Sequence, residues 1–251
     1  FRRVLFRSNV AFHLAKNFYQ KGIKINQITS KSEKSRNWLS KQVEANPCDL
    51  KNLDSNSDIY IVAINDDELP KIEAPQLAKN LIVHTSGSAS IEWINNISSR
   101  TGVFYPLQTF SKDSKINISE VPICIEASNH IDRQNLLSLG KVISSDVYEI
   151  NSEQRKKLHL AAVFACNFSN HFYAIADDIL KENELSLDLI KPLISETAKK
   201  INYLAPSKAQ TGPAVRGDQK IISDQLNQLA NSKDLQNLYK FVTQSIQKRH
   251  E

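Results

Sequence analysis

The apolar positions of the chain follow different rules on either side of residue 151. In the first half, Val10, His13, Leu14 and Phe18 recur at helical spacing and Lys21-Gly22 supplies a stop, which predicts a helix over 9–19. A short strand over 25–29 follows. Asp58-Ile59-Tyr60-Ile61-Val62-Ala63-Ile64 and Asn80-Leu81-Ile82-Val83-His84 are nearly continuous β-branched and apolar runs, the pattern of parallel strands buried on both faces. Strand signals at 103–105, 123–126 and 147–150 alternate with helical segments near 31–45, 89–99 and 130–143. The alternation predicts an α/β, Rossmann-like, doubly wound sheet over 9–150, with its first strand truncated.

After residue 151 no strand signal appears. Ser152-Glu153-Gln154-Arg155 reads as the opening of a helix that runs through the apolar stretch 158–168 to about residue 183. Further helices are predicted over 186–204, 214–230 and 232–248, separated by Pro206 and Gly212-Pro213. Residues 151–251 are thus expected to form an all-α C-terminal domain.

Composition narrows the class without naming the chemistry. At 251 residues, 41% hydrophobic and 24% charged, the chain is an ordinary globular sequence and not a disordered or fibrous one. It lacks the long uncharged apolar window of a membrane span, so no membrane partner is expected. Cys48, Cys124 and Cys166 are an odd number at no metal-like spacing, which points to a reducing, cytoplasmic setting. There is no Met, and Phe1-Arg2-Arg3-Val4-Leu5-Phe6-Arg7-Ser8 is what one frame of a common sequencing-adapter oligonucleotide encodes, so residues 1–8 are expected to be non-native. Without the three arginines of that octapeptide the formal charge falls from +5 to +2, which leaves no basic footprint for a nucleic acid.

Candidate chemistry gathers at the strand ends and on one helix. A dinucleotide-binding unit ends its first strand in a glycine-rich turn that lets the backbone approach the pyrophosphate. Here Ser8-Asn9-Val10-Ala11 stands at that place; an ordinary N-capped helix reads the same way, and Arg7-Ser8 cannot supply the freedom of glycines, so weaker dinucleotide binding is expected. At the end of the second strand, Thr29-Ser30-Lys31-Ser32 with Lys34 and Arg36 offers hydroxyls and cations that suit a 2′-phosphate. Ser30 and Lys31 therefore favour NADP over NAD, against the alternative of a solvated basic loop. Asn65-Asp66-Asp67, His84-Thr85-Ser86-Gly87-Ser88 and Tyr105-Pro106-Leu107-Gln108-Thr109-Phe110 follow three further strands, on the side where open α/β sheets bind ligands. Asp66, His84, Thr85 and Ser86 are the candidates for the nicotinamide side, and Gln108 for substrate. His84 and Ser86 lack the elbow motif of a hydrolase.

On the long helix, His159, Cys166 and Asn170 fall within one stripe at about 100° per residue, with Lys156 and Asn167 on an adjacent one. They interrupt a stretch that otherwise reads as buried, so the stripe is either a cleft lining or a satisfied helix interface. His159 and His171 have no metal-ligand spacing, and no metal is expected. Gln210-Thr211-Gly212-Pro213-Ala214-Val215-Arg216-Gly217-Asp218 places Arg216 to hold a carboxylate, or to close a local contact with Asp218.

His84-Thr85-Ser86-Gly87, the segment from Phe104 to Phe110, His159-Leu160-Ala161-Ala162-Val163-Phe164-Ala165 with Asn167-Phe168-Ser169-Asn170-His171, and the segment from Gln210 to Asp218 together resemble an uncharacterised bacterial family. That family is assigned to the oxidoreductases, with a Rossmann-like N-terminal domain and a C-terminal helical domain of unknown function. The resemblance covers residues 9–248. It lies within a superfamily that includes 6-phosphogluconate dehydrogenase, pyrroline-5-carboxylate reductase, ketopantoate reductase and deazaflavin-dependent NADP oxidoreductases. The resemblance implies hydride transfer between nicotinamide and a small carbonyl, imine or hydroxy compound, with C-terminal helices closing the cleft and forming a homodimer. The superfamily's lysine-and-asparagine pattern is not plainly reproduced: Lys156 stands in for the lysine, Asn167 and Asn170 would orient the substrate oxygen or nitrogen, and His159 is the more natural acid or base near neutral pH. The alternative is a non-catalytic dinucleotide-binding or dimerising module, since fold does not fix function.

Overall fold

The computed structural model describes residues 3–6, 9–111 and 116–250. Strands β1 (Arg3–Phe6), β2 (Ile25–Thr29), β3 (Asn46–Cys48), β4 (Ile59–Val62), β5 (Leu81–His84), β6 (Arg100–Pro106), β7 (Ile123–Ala127) and β8 (Val147–Glu149) form one sheet in the order β3-β2-β1-β4-β5-β6-β7-β8. All neighbours are parallel except β6 and β7. This is the Rossmann-like doubly wound sheet expected from the alternating runs.

The period of two along β4 and β5 explains why both strands read as continuously apolar. Ile59, Ile61, Leu81 and Val83 face one core cluster, and Tyr60, Val62 and Ile82 face another. The first cluster is covered by helices α1 (Asn9–Gln20), α2 (Glu33–Gln42) and α3 (His130–Ile143), which contribute Leu14, Phe18, Leu39, Leu136 and Leu139. The second is covered by short 3-10 turns that supply Leu69, Leu77 and Ile94.

Three sequence expectations change here. The sheet does not lack its first strand, because residues 3–6 run between β2 and β4 and pair with both, completing ladders that would otherwise be open in the sheet centre. The helix expected over 89–99 is the single turn Ile91–Ile94. Beyond it the Asn96 side chain donates to the carbonyls of Pro70 and Ile72, at 3.2 and 2.9 Å, a tertiary alternative to continuing the helix. Strand β3 has no sequence signal, because Pro47 masks it; proline is tolerated there at the sheet edge.

By contact the chain divides into two compact units, residues 1–170 and 171–251. Helix α4 (Ser152–Ala162) is in the first. It opens with a capping box in which the Asn151 side chain accepts from Gln154 N and the Gln154 side chain accepts from Asn151 N, at 2.9 and 3.0 Å. The expected continuous helix to residue 183 is interrupted by a π-helical segment, Val163–Phe168, before α5 (Ser169–Glu182).

The second unit holds α6 (Lys191–Lys200), α7 (Pro206–Ala209), α8 (Pro213–Arg216), α9 (Gln219–Gln228) and α10 (Lys233–His250). The helix expected over 186–204 starts only at Lys191, where Pro192 suits a first turn. The one expected over 214–230 breaks at Gly217, whose φ of 67° is left-handed, and restarts under the Asp218 cap. Of residues 171–250 only Ile222 and Thr243 are buried. Among the described residues no helix is long and apolar enough to cross a membrane.

Candidate active site

The strand-end clusters of the first unit converge on one hydrogen-bonded assembly. Beyond β5 the chain turns through Thr85-Ser86-Gly87-Ser88, and the turn is held by its own side chains. Ser86 Oγ donates to Asp66 at 2.8 Å and accepts from the amides of Ser88 and Ala89 at 3.1 and 2.9 Å. Ser88 Oγ also donates to Asp66. Ser86 N donates to His84 Nδ1 at 3.2 Å, so the neutral His84 ring carries its proton on Nε2. Asp66 and Ser86 therefore belong to one structure, as their positions after adjacent strands suggest.

His84 is fully buried, and burial first, then the nearby Arg155 cation, hold its pKa down at about 4. Above the ordinary histidine range the folded and unfolded chains are both neutral at this site. As pH falls below about 6.5 the unfolded chain takes up a proton that folded His84 refuses, and stability drops until about pH 4, by about 3 kcal/mol in total. Urea midpoints measured between pH 7 and 4 are expected to fall less steeply in His84→Gln than in the parent. Identical slopes would show that His84 does not titrate in this way.

Tyr105 at the end of β6 and His159 on α4 form the second part of the site. Their Oη and Nδ1 atoms are 3.1 Å apart, and the rings meet edge to face. Burial pushes the Tyr105 hydroxyl up to about 12, so it keeps its proton, and its contact engages Nδ1, which leaves Nε2 as the other ring nitrogen. Gly87 closes against this pair. A Cβ at Gly87 would lie 2.6 Å from His159 Nδ1 and 2.8 Å from the Tyr105 ring, so only glycine lets the turn come this near.

Arg155 fixes the helix that carries His159. It is the largest fully buried side chain, bonded to Glu126 on β7 and to the carbonyl of Ala89 just past the turn. Ser152 Oγ and N donate to the same Glu126 carboxylate at 2.8 and 3.0 Å. Tyr105 and Arg155 were not singled out from the sequence. The signals were the place of Tyr105 in a strand-end cluster and Arg155 opening a helix that turns inward at Leu158, which packs with Val103, Tyr105 and Cys124.

The remaining candidates are placed differently. Lys156 pairs with Glu153 at 2.8 Å on the surface. Asn167 and Asn170 are exposed, and the π-helical segment, whose bonds run i to i+5, breaks the regular stripe that was to align Asn170 with His159 and the adjacent one that was to join Asn167 to Lys156. Several apolar positions of that stretch are exposed rather than buried, with Leu160 and Phe164 more than half accessible, while Leu158 is partly buried. Gln108 is exposed and accepts from Thr109 N at 2.8 Å. Arg216, in the second unit, is exposed and 3.9 Å from Asp218. Thr85 N donates to Val62 O at 3.1 Å. At α1, Asn9 Nδ2 donates to Phe110 O at 3.1 Å, Val10 is half-buried and Ala11 is buried; Ser8 lies outside the described residues. Ser30 and Lys31 line a cleft of about 520 Å³ at the ends of β2 and β4, together with Ser32, Glu68 and Lys71.

Comparison with known proteins supports this architecture. A "putative NADP oxidoreductase" from Bacteroides fragilis is 40% identical, covers 98% of each chain and superposes with a TM-score of 0.92. An imine reductase from Myxococcus stipitatus in complex with NADP+ matches at 14% identity over 98% of this chain and 91% of its own, with a TM-score of 0.63. A 1-pyrroline-5-carboxylate reductase from Streptococcus pyogenes matches at 10% identity over 98% of both chains, with a TM-score of 0.64. The last two likenesses concern the fold. A search of curated proteins returns no match. The model of the family described as Domain of unknown function (DUF2520) matches residues 121–246, half of the chain, and bears out the resemblance carried by the sequence motifs. The chain belongs to the DUF2520 family.

Proposed function

We propose that the chain is an NADP-preferring oxidoreductase that transfers a hydride between the nicotinamide and a small carbonyl, imine or hydroxy compound. The observation that carries the reading is the Tyr105–His159 pair, closed over by Gly87 at the carboxyl ends of a Rossmann-like sheet. The 40% identical relative described as an NADP oxidoreductase agrees with it. The cleft beside β2 and β4 offers ammonium groups and hydroxyls, a donor set that fits a phosphorylated ribose.

The nicotinamide cofactor supplies the hydride when bound. His159 Nε2 passes the proton to or from the substrate heteroatom, while Tyr105 Oη holds Nδ1 and fixes the ring. Asn167 and Asn170 orient that heteroatom, Lys156 adds a cation to the same helix, and Gln108 holds polar groups of the substrate. Ser30 and Lys31 hold the 2′-phosphate, Asn9, Val10 and Ala11 face the pyrophosphate, and Asp66, Thr85 and Ser86, with His84 buried beneath them, shape the nicotinamide side. In a fluorescence titration NADPH is expected to bind more tightly than NADH. Binding of neither cofactor to the folded protein would favour the non-catalytic module.

The second unit favours a homodimer. Its helices and turns carry exposed Leu189, Leu193, Ile201, Tyr203 and Phe241, and the single chain gives them almost no interior. Sedimentation at micromolar concentration is expected to give twice the 28.4 kDa chain mass. A monodisperse monomer would end this part of the reading.

A further inference from the structure

At the cleft between β2 and β4, one carboxylate is shared by two lysines. Glu68 Oε2 accepts from Lys31 Nζ at 2.7 Å and Oε1 from Lys71 Nζ at 3.0 Å. Lys31 follows β2, and Lys71 closes the 3-10 turn after β4, so the two reach Glu68 from different segments. The neighbouring acid on the cleft wall, Asp49, is paired with Arg36. The wall thus carries Lys31 and Lys71 against Glu68 and Asp49, with the charge of Asp49 already met by Arg36. Three of these groups meet at a single point, beside the hydroxyls of Ser30 and Ser32.

We propose that Lys31 and Lys71 together form the seat of the cofactor's 2′-phosphate, and that Glu68 occupies this seat as an internal competitor until the phosphate displaces it. The inference rests on the cofactor reading above and adds Lys71 and Glu68 to it. A phosphate monoester brings nearly twice the charge of a carboxylate and three acceptor oxygens, so it takes both ammonium groups at once and releases Glu68 to water. NADH brings no such charge. It leaves the lysines on Glu68, whose carboxylate can instead accept from the ribose 2′-hydroxyl. The lysines hold the Glu68 carboxyl at about 2, well below the ordinary carboxylate range, so the competitor is charged throughout the working pH range. Selectivity at this site is then a difference between two ion-pair exchanges, weakened by salt for NADPH and little affected for NADH.

The test is calorimetric titration of the full chain with NADPH, NADH and 2′,5′-ADP, without any substrate. Lys71→Met is expected to weaken NADPH and 2′,5′-ADP by roughly tenfold and to leave NADH unchanged. Glu68→Gln is expected to tighten NADPH and 2′,5′-ADP several-fold without tightening NADH, a gain that misfolding cannot imitate. Equal effects of Lys71→Met on NADPH and NADH, or none on either, would overturn the two-lysine seat while leaving the cofactor reading intact. A Glu68→Gln protein that binds NADPH no better than the parent would overturn the competitor role. Failure of the unaltered chain to bind either dinucleotide or 2′,5′-ADP would remove both the seat and the reading beneath it.

Discussion

His159→Ala is expected to lower turnover of an accepted carbonyl, imine or hydroxy substrate by about 10²–10⁴-fold while NADPH affinity stays within about twofold of the parent. The separation follows from the geometry. His159 Nδ1 is engaged by Tyr105, so its remaining nitrogen is the one suited to proton transfer, whereas the cleft at β2 and β4 is lined by other residues. Removing the imidazole also takes from Tyr105, a residue only 9% exposed, the ring partner of its hydroxyl. Tyr105→Phe is therefore the companion variant: it removes the ring's orienting bond but keeps the imidazole, and a smaller loss of turnover is expected. Unchanged turnover in His159→Ala would take the proton-transfer role away from this residue, and parallel loss of turnover and NADPH binding would make its role structural.

Glu126→Leu is expected to destabilise the first unit by about 3–5 kcal/mol, read as a fall in the urea or thermal midpoint. Arg155 has a side chain 1% exposed, and Glu126 is its only carboxylate partner among the described residues. The substitution strands that cation in the interior and removes the acceptor of both Ser152 donors. A surface pair one turn away makes the contrast: Glu153→Ala breaks the exposed bond to Lys156 and should leave the midpoint unchanged. The double variant Glu126→Leu with Arg155→Met is expected to recover part of the loss, because it removes the stranded charge along with its partner. A single variant as stable as the parent would mean that water or relaxation reaches Arg155.

Much of the first unit was legible in the sequence because burial on both faces imposes a simple residue rule. Strands β4 and β5 must be apolar at every position, and they were read almost to the residue. The turn after β5 was read as polar and chemical, and Asp66, His84 and Ser86 do meet there. The π-helical segment was not legible. Its residues have ordinary helical character, and the wider i to i+5 turn leaves no mark in residue type. The exposed face of Leu160 and Phe164 was misread for a related reason. An apolar helix face reports that it needs a partner, without saying that the partner lies within the same chain.

The sequence by itself determined the α/β half, the helical half and the polar clusters at the strand ends, because periodicity and capping are properties of neighbouring residues. Only the tertiary structure decided which clusters act together. Tyr105 and His159 are 54 positions apart and Arg155 and Glu126 are 29 apart, and no local rule links them. Their meeting depends on sheet order, on the antiparallel pairing of β6 with β7, and on the absence of a side chain at Gly87. Long-range contacts of this kind are fixed by the packing of whole layers, and layer packing is a property of the folded chain as a whole.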